Sequence, residues 1–126
     1  MNGKKVLVLT GSPRRGGNTD LLAEAFARGA KEAGYEVVIY ETAHKNIKGC
    51  RACDCCFSTD KACVFDDDDF NKLAELLMES DAIAFSVPLY WYNFPAQMKA
   101  ALDRTYSFFH SERYVPSKKS ALMTCA

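Results

Sequence analysis

The chain has 126 residues, enough for one domain that buries roughly two thirds of the surface its unfolded form exposes. Sixteen Lys and Arg cancel sixteen Asp and Glu, which argues against a broad electrostatic grip on nucleic acid or an anionic membrane. No stretch approaches the ~20 apolar residues of a membrane span, and the N-terminal apolar run is too short and lacks the cleavage site of a signal peptide, so a cytoplasmic protein is expected.

Val6, Leu7, Val8 and Leu9 form an unbroken apolar run, the pattern of a strand buried on both faces. Gly11, Ser12, Pro13, Gly16 and Gly17 then turn the chain, with Arg14 and Arg15 among them. Asn18, Thr19 and Asp20 offer capping side chains to a helix over 19–33, whose apolar row is Leu22, Phe26 and Ala30 and which Gly34 ends. A loop between a buried strand and a helix N-terminus presents free N–H groups and a positive dipole end, so its natural guest is an anion, most plausibly a phosphate. Residues 35–40 read as a second strand, and strand, helix and strand together make a parallel βαβ unit.

Residues 42–65 carry no useful periodicity but hold five of the six cysteines. Such crowding suits metal binding or reduced thiols better than a disulfide framework. Asp66, Asp67, Asp68 and Asp69 precede Phe70, Leu73, Leu76 and Leu77, which reads as an acidic helix start; a carboxylate cation site is the alternative. Residues 82–87 form a third strand that Pro88 stops. Pro88 and Pro95 bracket an aromatic loop, and Pro95 suits the first turn of a helix burying Met98, Leu102 and Tyr106. Residues 118–124 resemble a fourth strand. There are no repeats or linkers, so 1–126 is read as a single domain with a cysteine-rich loop at about 48–65.

Alternating strands and helices give an open, doubly wound α/β sheet, whose ligand lies beyond the carboxyl ends of the strands. The loop after the first strand offers anion binding and the loop after the third offers aromatic surface. Together they point to a phosphorylated planar cofactor. The common fingerprints are absent: there is no G-x-G-x-x-G, and Gly17-Asn18 stands where a Walker loop needs its lysine and hydroxyl. A phosphoacceptor receiver domain would want an aspartate where Ser86 and Val87 stand.

G-S-P-R-x-x-G-N-T after the first strand, with P-L-Y-W-Y-N-F-P-A-Q-M-K-x-x-L-D-R after the third, resembles the NAD(P)H-dependent FMN reductase family, and within it the branch of the iron–sulfur flavoproteins. The resemblance implies a flavodoxin-like parallel sheet of strand order 2-1-3-4, with the usual fifth strand missing and the chain stopping short of the loop that normally completes the flavin pocket. It also implies that Ser12, Arg14, Asn18 and Thr19 hold the FMN phosphate, with Pro13 shaping the turn. Pro88, Leu89, Tyr90, Trp91 and Asn93 would line the isoalloxazine. The residue chemistry agrees, since hydroxyls, amides and a guanidinium suit phosphate while aromatic side chains suit a flat ring. The flavin then carries the chemistry, with NAD(P)H as donor and a flavin, quinone or protein as acceptor, and no side chain is expected to act as catalytic acid or base. The incomplete sheet edge leads to the expectation of a homo-oligomer and of weak FMN affinity in a monomer.

Cys50, Cys53, Cys56 and Cys63 read C-x2-C-x2-C-x6-C, a set that satisfies a [4Fe–4S] cluster or a zinc ion, with metal-free thiols as the remaining reading. The spacing is similar to the cluster motif of the iron–sulfur flavoproteins, from which the adjacent Cys55 departs. An iron–sulfur and flavin electron carrier that never uses nicotinamide, and a zinc-binding module, are therefore the rival functions. Cys125 is expected as a buried small hydrophobe, and His44 and His110 as surface or loop residues.

Overall fold

A computed structural model describes residues 4–110 and 118–126. Four parallel strands, β1 (Lys5–Thr10), β2 (Glu36–Glu41), β3 (Ala82–Pro88) and β4 (Lys119–Cys125), form one sheet in the order β2-β1-β3-β4. The flavodoxin-like order 2-1-3-4 is therefore present. β1 is central and almost wholly buried, as its apolar run requires. Its last pairings set Thr10 beside Glu41 of β2 and Ser86 of β3, so the loops after all three strands open at one edge.

Helices lie on both faces of the sheet. Helix α1 (Asn18–Glu32) crosses one face and touches all four strands, sharing a core with Val6, Val8 and Ala84. Helices α2 (Phe70–Glu79) and α3 (Ala96–Arg104) cover the other, where Leu7, Leu9, Tyr40, Leu73, Leu77, Val87, Met98 and Ala101 form the larger core. On that second face β4 stays open, with Ser120, Leu122 and Thr124 exposed. A short helix α4 (Tyr106–His110) follows. The side chains of Phe109 and His110 lie outside the description, and with them the expectation for His110.

Two helix faces differ from their sequence reading. α1 buries Thr19, Ala23 and Ala27 rather than Leu22, which is 38% exposed. The helix lies close against the sheet, where a row of small side chains fits and leucines do not. In α3 the buried row is Met98, Ala101 and Arg104, while Tyr106 lies beyond the helix and is 41% exposed. The expected four-residue spacing outruns a helix that stops at Thr105, whose Oγ1 donates to Leu102 O at 2.6 Å.

Candidate functional site

The loop after β1 is held against β3 from both sides. Gly11 N donates to Ser86 O at 3.2 Å, and Ser86 Oγ donates to Thr19 O at 2.6 Å inside the first turn of α1. A β-carbon on Gly11 would stand 2.8 Å from Val87 Cγ1 and 3.3 Å from Met98 Cβ, so only glycine permits this approach. Ser12 is buried, and its hydroxyl both accepts from Arg14 N and donates to Arg14 O at 3.1 Å. It shapes the turn from within. Gly16 has φ +74° and donates its N–H to Asp20 Oδ2 at 2.8 Å.

The expected capping by Asn18 and Thr19 is not what forms the helix start. Gly17 is the N-cap, Thr19 is buried, and Asn18 is exposed with Nδ2 3.7 Å from Cys125 Sγ. Among the described residues the N–H groups of Asn18 and Thr19 find no acceptor, which leaves the positive end of α1 open to an anion. Arg14 and Pro13 are exposed beside it, whereas Arg15 reaches Glu41 Oε2 at 3.4 Å. Cys125 is half-buried at the end of β4 rather than buried as a core residue.

The aromatic loop starts where Leu89 N donates to Cys125 O at 3.2 Å. Tyr90 and Asn93 exchange both backbone hydrogen bonds at 3.0 Å around a two-residue tip, Trp91 and Tyr92. Both tip residues have positive φ, 47° and 65°, the pattern of a type I′ turn that ordinarily takes Asn-Gly. Trp91 is 91% exposed and Tyr92 87%, with their rings edge to face at 5.8 Å. Two aromatic side chains thus occupy strained backbone positions without burial to offset the strain. Pro88 is half-buried at the strand end, and Leu89, Tyr90 and Asn93 are exposed. The two loops that carry the anion and aromatic residues adjoin through β1 and β3, as the sequence reading requires.

The cysteines form a second locality. Cys50, Cys53, Cys56 and Cys63 all line one cavity of about 30 Å³, and Cys55 does not. None of residues 11–19 or 88–93 lines it. Ala52 and Asp54, at φ 54° and 57°, bend the loop on either side of Cys53. The Cys55 N–H holds the Cys53 thiol below its ordinary pKa; Cys55, facing Cys53, is pushed up, and burial raises Cys56. Among the described residues no three Cys, His, Asp or Glu side chains converge at metal-binding distance. The donor set suits a soft metal, but the space is that of one water, so a cluster requires the loop to spread.

The sequence reading missed Arg104. The acidic run before α2 is the helix start that was expected, with Asp69 at the N-cap and Asp68 Oδ1 accepting from Phe70 N, but its carboxylates also take donors from elsewhere in the chain. Asp68, its side chain 1% exposed, receives Arg104 Nη1 at 2.7 Å, Lys48 N at 3.0 Å and, through Oδ1, Phe70 N at 3.1 Å. Burial alone would raise the Asp68 carboxyl, but these hydrogen bonds outweigh it and hold it below the usual range. Asp66 pairs with Lys61, Asp67 with Lys48, and Asp69 accepts from Asn46 N. The missed signal was periodic: Arg104 stands three residues after Ala101 and six after Met98, on the buried row. His44 is exposed as expected, with Nε2 3.6 Å from Glu41 Oε2.

Residues 4–126 match the model of the NADPH-dependent FMN reductase family. The chain belongs to that family. An iron–sulfur flavoprotein of Methanosarcina thermophila is 36% identical over 101 residues, covering 80% of this chain and 52% of that protein. One from Archaeoglobus fulgidus is 34% identical over 106 residues, covering 84% and 47%. The chain thus spans about half the length of these curated relatives. In fold it is similar to an NAD(P)H:quinone oxidoreductase from Methanothermobacter marburgensis, with a TM-score of 0.77 over 97% of this chain and 64% of that one, at 22% identity. The likeness to iron–sulfur flavoproteins is that to these two relatives, and the sheet order is that of the structure.

Proposed function

We propose that this chain carries the FMN-binding elements of an oxidoreductase that takes electrons from NAD(P)H and passes them to a flavin, quinone or protein acceptor. The observation that carries the reading is the strained, solvent-facing Trp91–Tyr92 turn beside the open N-terminus of α1, on one sheet edge. Such strain persists where a site uses it, and here it presents flat apolar surface next to an anion site. Membership of the FMN reductase family supports the same cofactor.

In this reading Arg14 and the N–H groups of Asn18 and Thr19 bind the phosphate, while Ser12 and Pro13 fix the turn that presents them. Pro88, Leu89, Tyr90, Trp91 and Asn93 orient the ring and shield one side of it from water. Bound FMN supplies hydride acceptance and single-electron release. The described residues then act as binders, and none is assigned as a proton donor. Mixing the protein with FMN and then NADPH without oxygen tests this. Bleaching of the flavin absorbance is expected; its absence, with FMN demonstrably bound, overturns the reductase reading.

The four thiols around one cavity favour a second component, an iron–sulfur cluster held by Cys50, Cys53, Cys56 and Cys63, as in the names of the sequence relatives. Metal analysis for iron, sulfide and zinc separates it from a zinc site or free thiols. Leu122 on β4 is 57% exposed, and this apolar side chain on an outer strand supports a homo-oligomer. No described helix is long and apolar enough to cross a membrane, which is compatible with the cytoplasmic reading. The balanced charge supports partners other than nucleic acid or membrane.

A further inference from the structure

The cavity at Cys50, Cys53, Cys56 and Cys63 has room for about one water and none for an iron–sulfur cluster, and among the described residues no three ligating side chains converge. What does converge is a pair, and one of its members is Cys55, which the four-thiol set leaves out. The Cys55 thiol hydrogen-bonds the Cys53 sulfur and lies 3.6 Å from Cys53 O. Side chains two residues apart on an ordinary turn or coil need not meet. Asp54 between these two has φ 57° and ψ 9°, a left-handed conformation that turns the chain back and lets the two sulfurs touch.

The other thiols of the loop are engaged elsewhere. Cys50 Sγ accepts from Ala52 N at 3.4 Å. Cys63 is hydrogen-bonded to the Arg104 guanidinium, and Asn71 holds its N–H at 2.9 Å and its carbonyl at 3.0 Å. Cys56 is half-buried, whereas Cys53 and Cys55 are both exposed. The two sulfurs in contact are therefore also the two that a small solute reaches. The sequence pattern alone favours a different pair, because Cys53 and Cys56 have the C-x-x-C spacing of dithiol redox motifs.

We propose that Cys53 and Cys55 form a dithiol oxidation site that reduces a hydroperoxide and closes as a disulfide. The inference takes the loop as metal-free, in opposition to the cluster reading, and makes no use of the flavin site. The Cys53 sulfur attacks the terminal oxygen of the hydroperoxide: an S–O bond forms, the O–O bond breaks, and the alcohol leaves with the Cys53 proton. The Cys55 sulfur then attacks the Cys53 sulfur. An S–S bond forms, the S–O bond breaks, and water leaves with the Cys55 proton. The two thiols lose two electrons, and the hydroperoxide gains them as alcohol and water. Cys53 is assigned the attack because its sulfur accepts the hydrogen bond, while Cys55 donates and keeps its proton for the second step. A disulfide spanning a single residue is strained and exposed, so a small dithiol should reopen it.

The experiment measures iron and sulfide in the purified protein, treats the reduced protein with tert-butyl hydroperoxide, alkylates the remaining thiols and maps the disulfide by mass spectrometry. The tryptic peptide from Ala52 to Lys61 carries Cys53, Cys55 and Cys56 together. It is expected to lose two hydrogens, to carry its one alkyl group on Cys56, and to regain both hydrogens with dithiothreitol. C55S should stop at the first step, with a sulfenic acid on Cys53 that dimedone traps, and C53S should give neither product. Both residues are exposed, so melting temperatures of the two variants are expected within a few degrees of wild type. A disulfide between Cys53 and Cys56, or three alkylated thiols after peroxide, overturns the inference on wild type alone. Iron and sulfide bound in the purified protein, with Cys53 protected from peroxide, overturn it too and leave the cluster reading standing.

Discussion

Gly11 is confined between Val87 on β3 and Met98 on α3, with no room for a methyl group. Gly11→Ala is expected to lower stability by about 1–3 kcal/mol through overpacking, read in a urea melt. Arg14 and Arg15 are adjacent and of one charge, but among the described residues only Arg15 is paired, to Glu41. Arg14→Ala should therefore weaken FMN binding by about tenfold or more, the loss of one charge-assisted phosphate contact. Arg15→Ala should weaken it much less, and flavin fluorescence titrations of the two variants compare them directly. Sequence reasoning could find these residue types because loop composition limits which ligand is welcome. It could not find that Ser12 turns inward onto Arg14 or that Arg104 is buried. Those directions depend on β3 closing over one loop and on Asp68 waiting under another.

At the scale of elements, β1 and β3 were legible because each is a short apolar run, and central parallel strands need little else. The βαβ pattern implied a parallel sheet, and the strand order was what the motif resemblance implied. The helix faces were less legible, since the row Leu22, Phe26 and Ala30 competes with the row Thr19, Ala23 and Ala27 around α1, and hydrophobicity favours the first. Closeness of packing decided for Ala23 and Ala27. The aromatic turn was legible as a ring-binding loop but not as a strained one, because φ cannot be read from Trp-Tyr. This strain leads to a prediction with opposite signs. Changing Trp91 and Tyr92 to Asn and Gly supplies residues that adopt positive φ readily, so the apoprotein should gain about 1–2 kcal/mol. The same variant loses both exposed rings and should bind FMN more weakly. Thermal melts without flavin and titrations with it test both halves; a less stable apoprotein would show that the turn is not strained.

At the scale of the molecule, the Arg104–Asp68 pair joins the start of α2, the end of α3 and both stems of the cysteine loop, so its ionisation reaches several elements. The Asp68 carboxyl is held below its unfolded value. A depressed carboxylate contributes stability that is fully present above the unfolded pKa of about 3.9 and is lost as pH falls through the folded value. Asp66 and Asp67 shift the same way but are exposed, and salt screens their pairs with Lys61 and Lys48. Tyr40, raised to about 12 by burial and then by Asp69 and Asp68, stays neutral throughout acid conditions and adds nothing to the slope. Stability should therefore fall below about pH 4 with a component that persists in high salt. D68N should remove that component, but at neutral pH it leaves Arg104 buried without its counter-ion, at a cost of roughly 3–5 kcal/mol. D68N/R104M should recover much of that loss and keep the flattened acid limb. Urea melts from pH 3 to pH 7 at low and high salt separate these outcomes. If D68N retains the wild-type acid slope in high salt, another carboxylate governs the acid transition, and Asp68 is no more than a local tether.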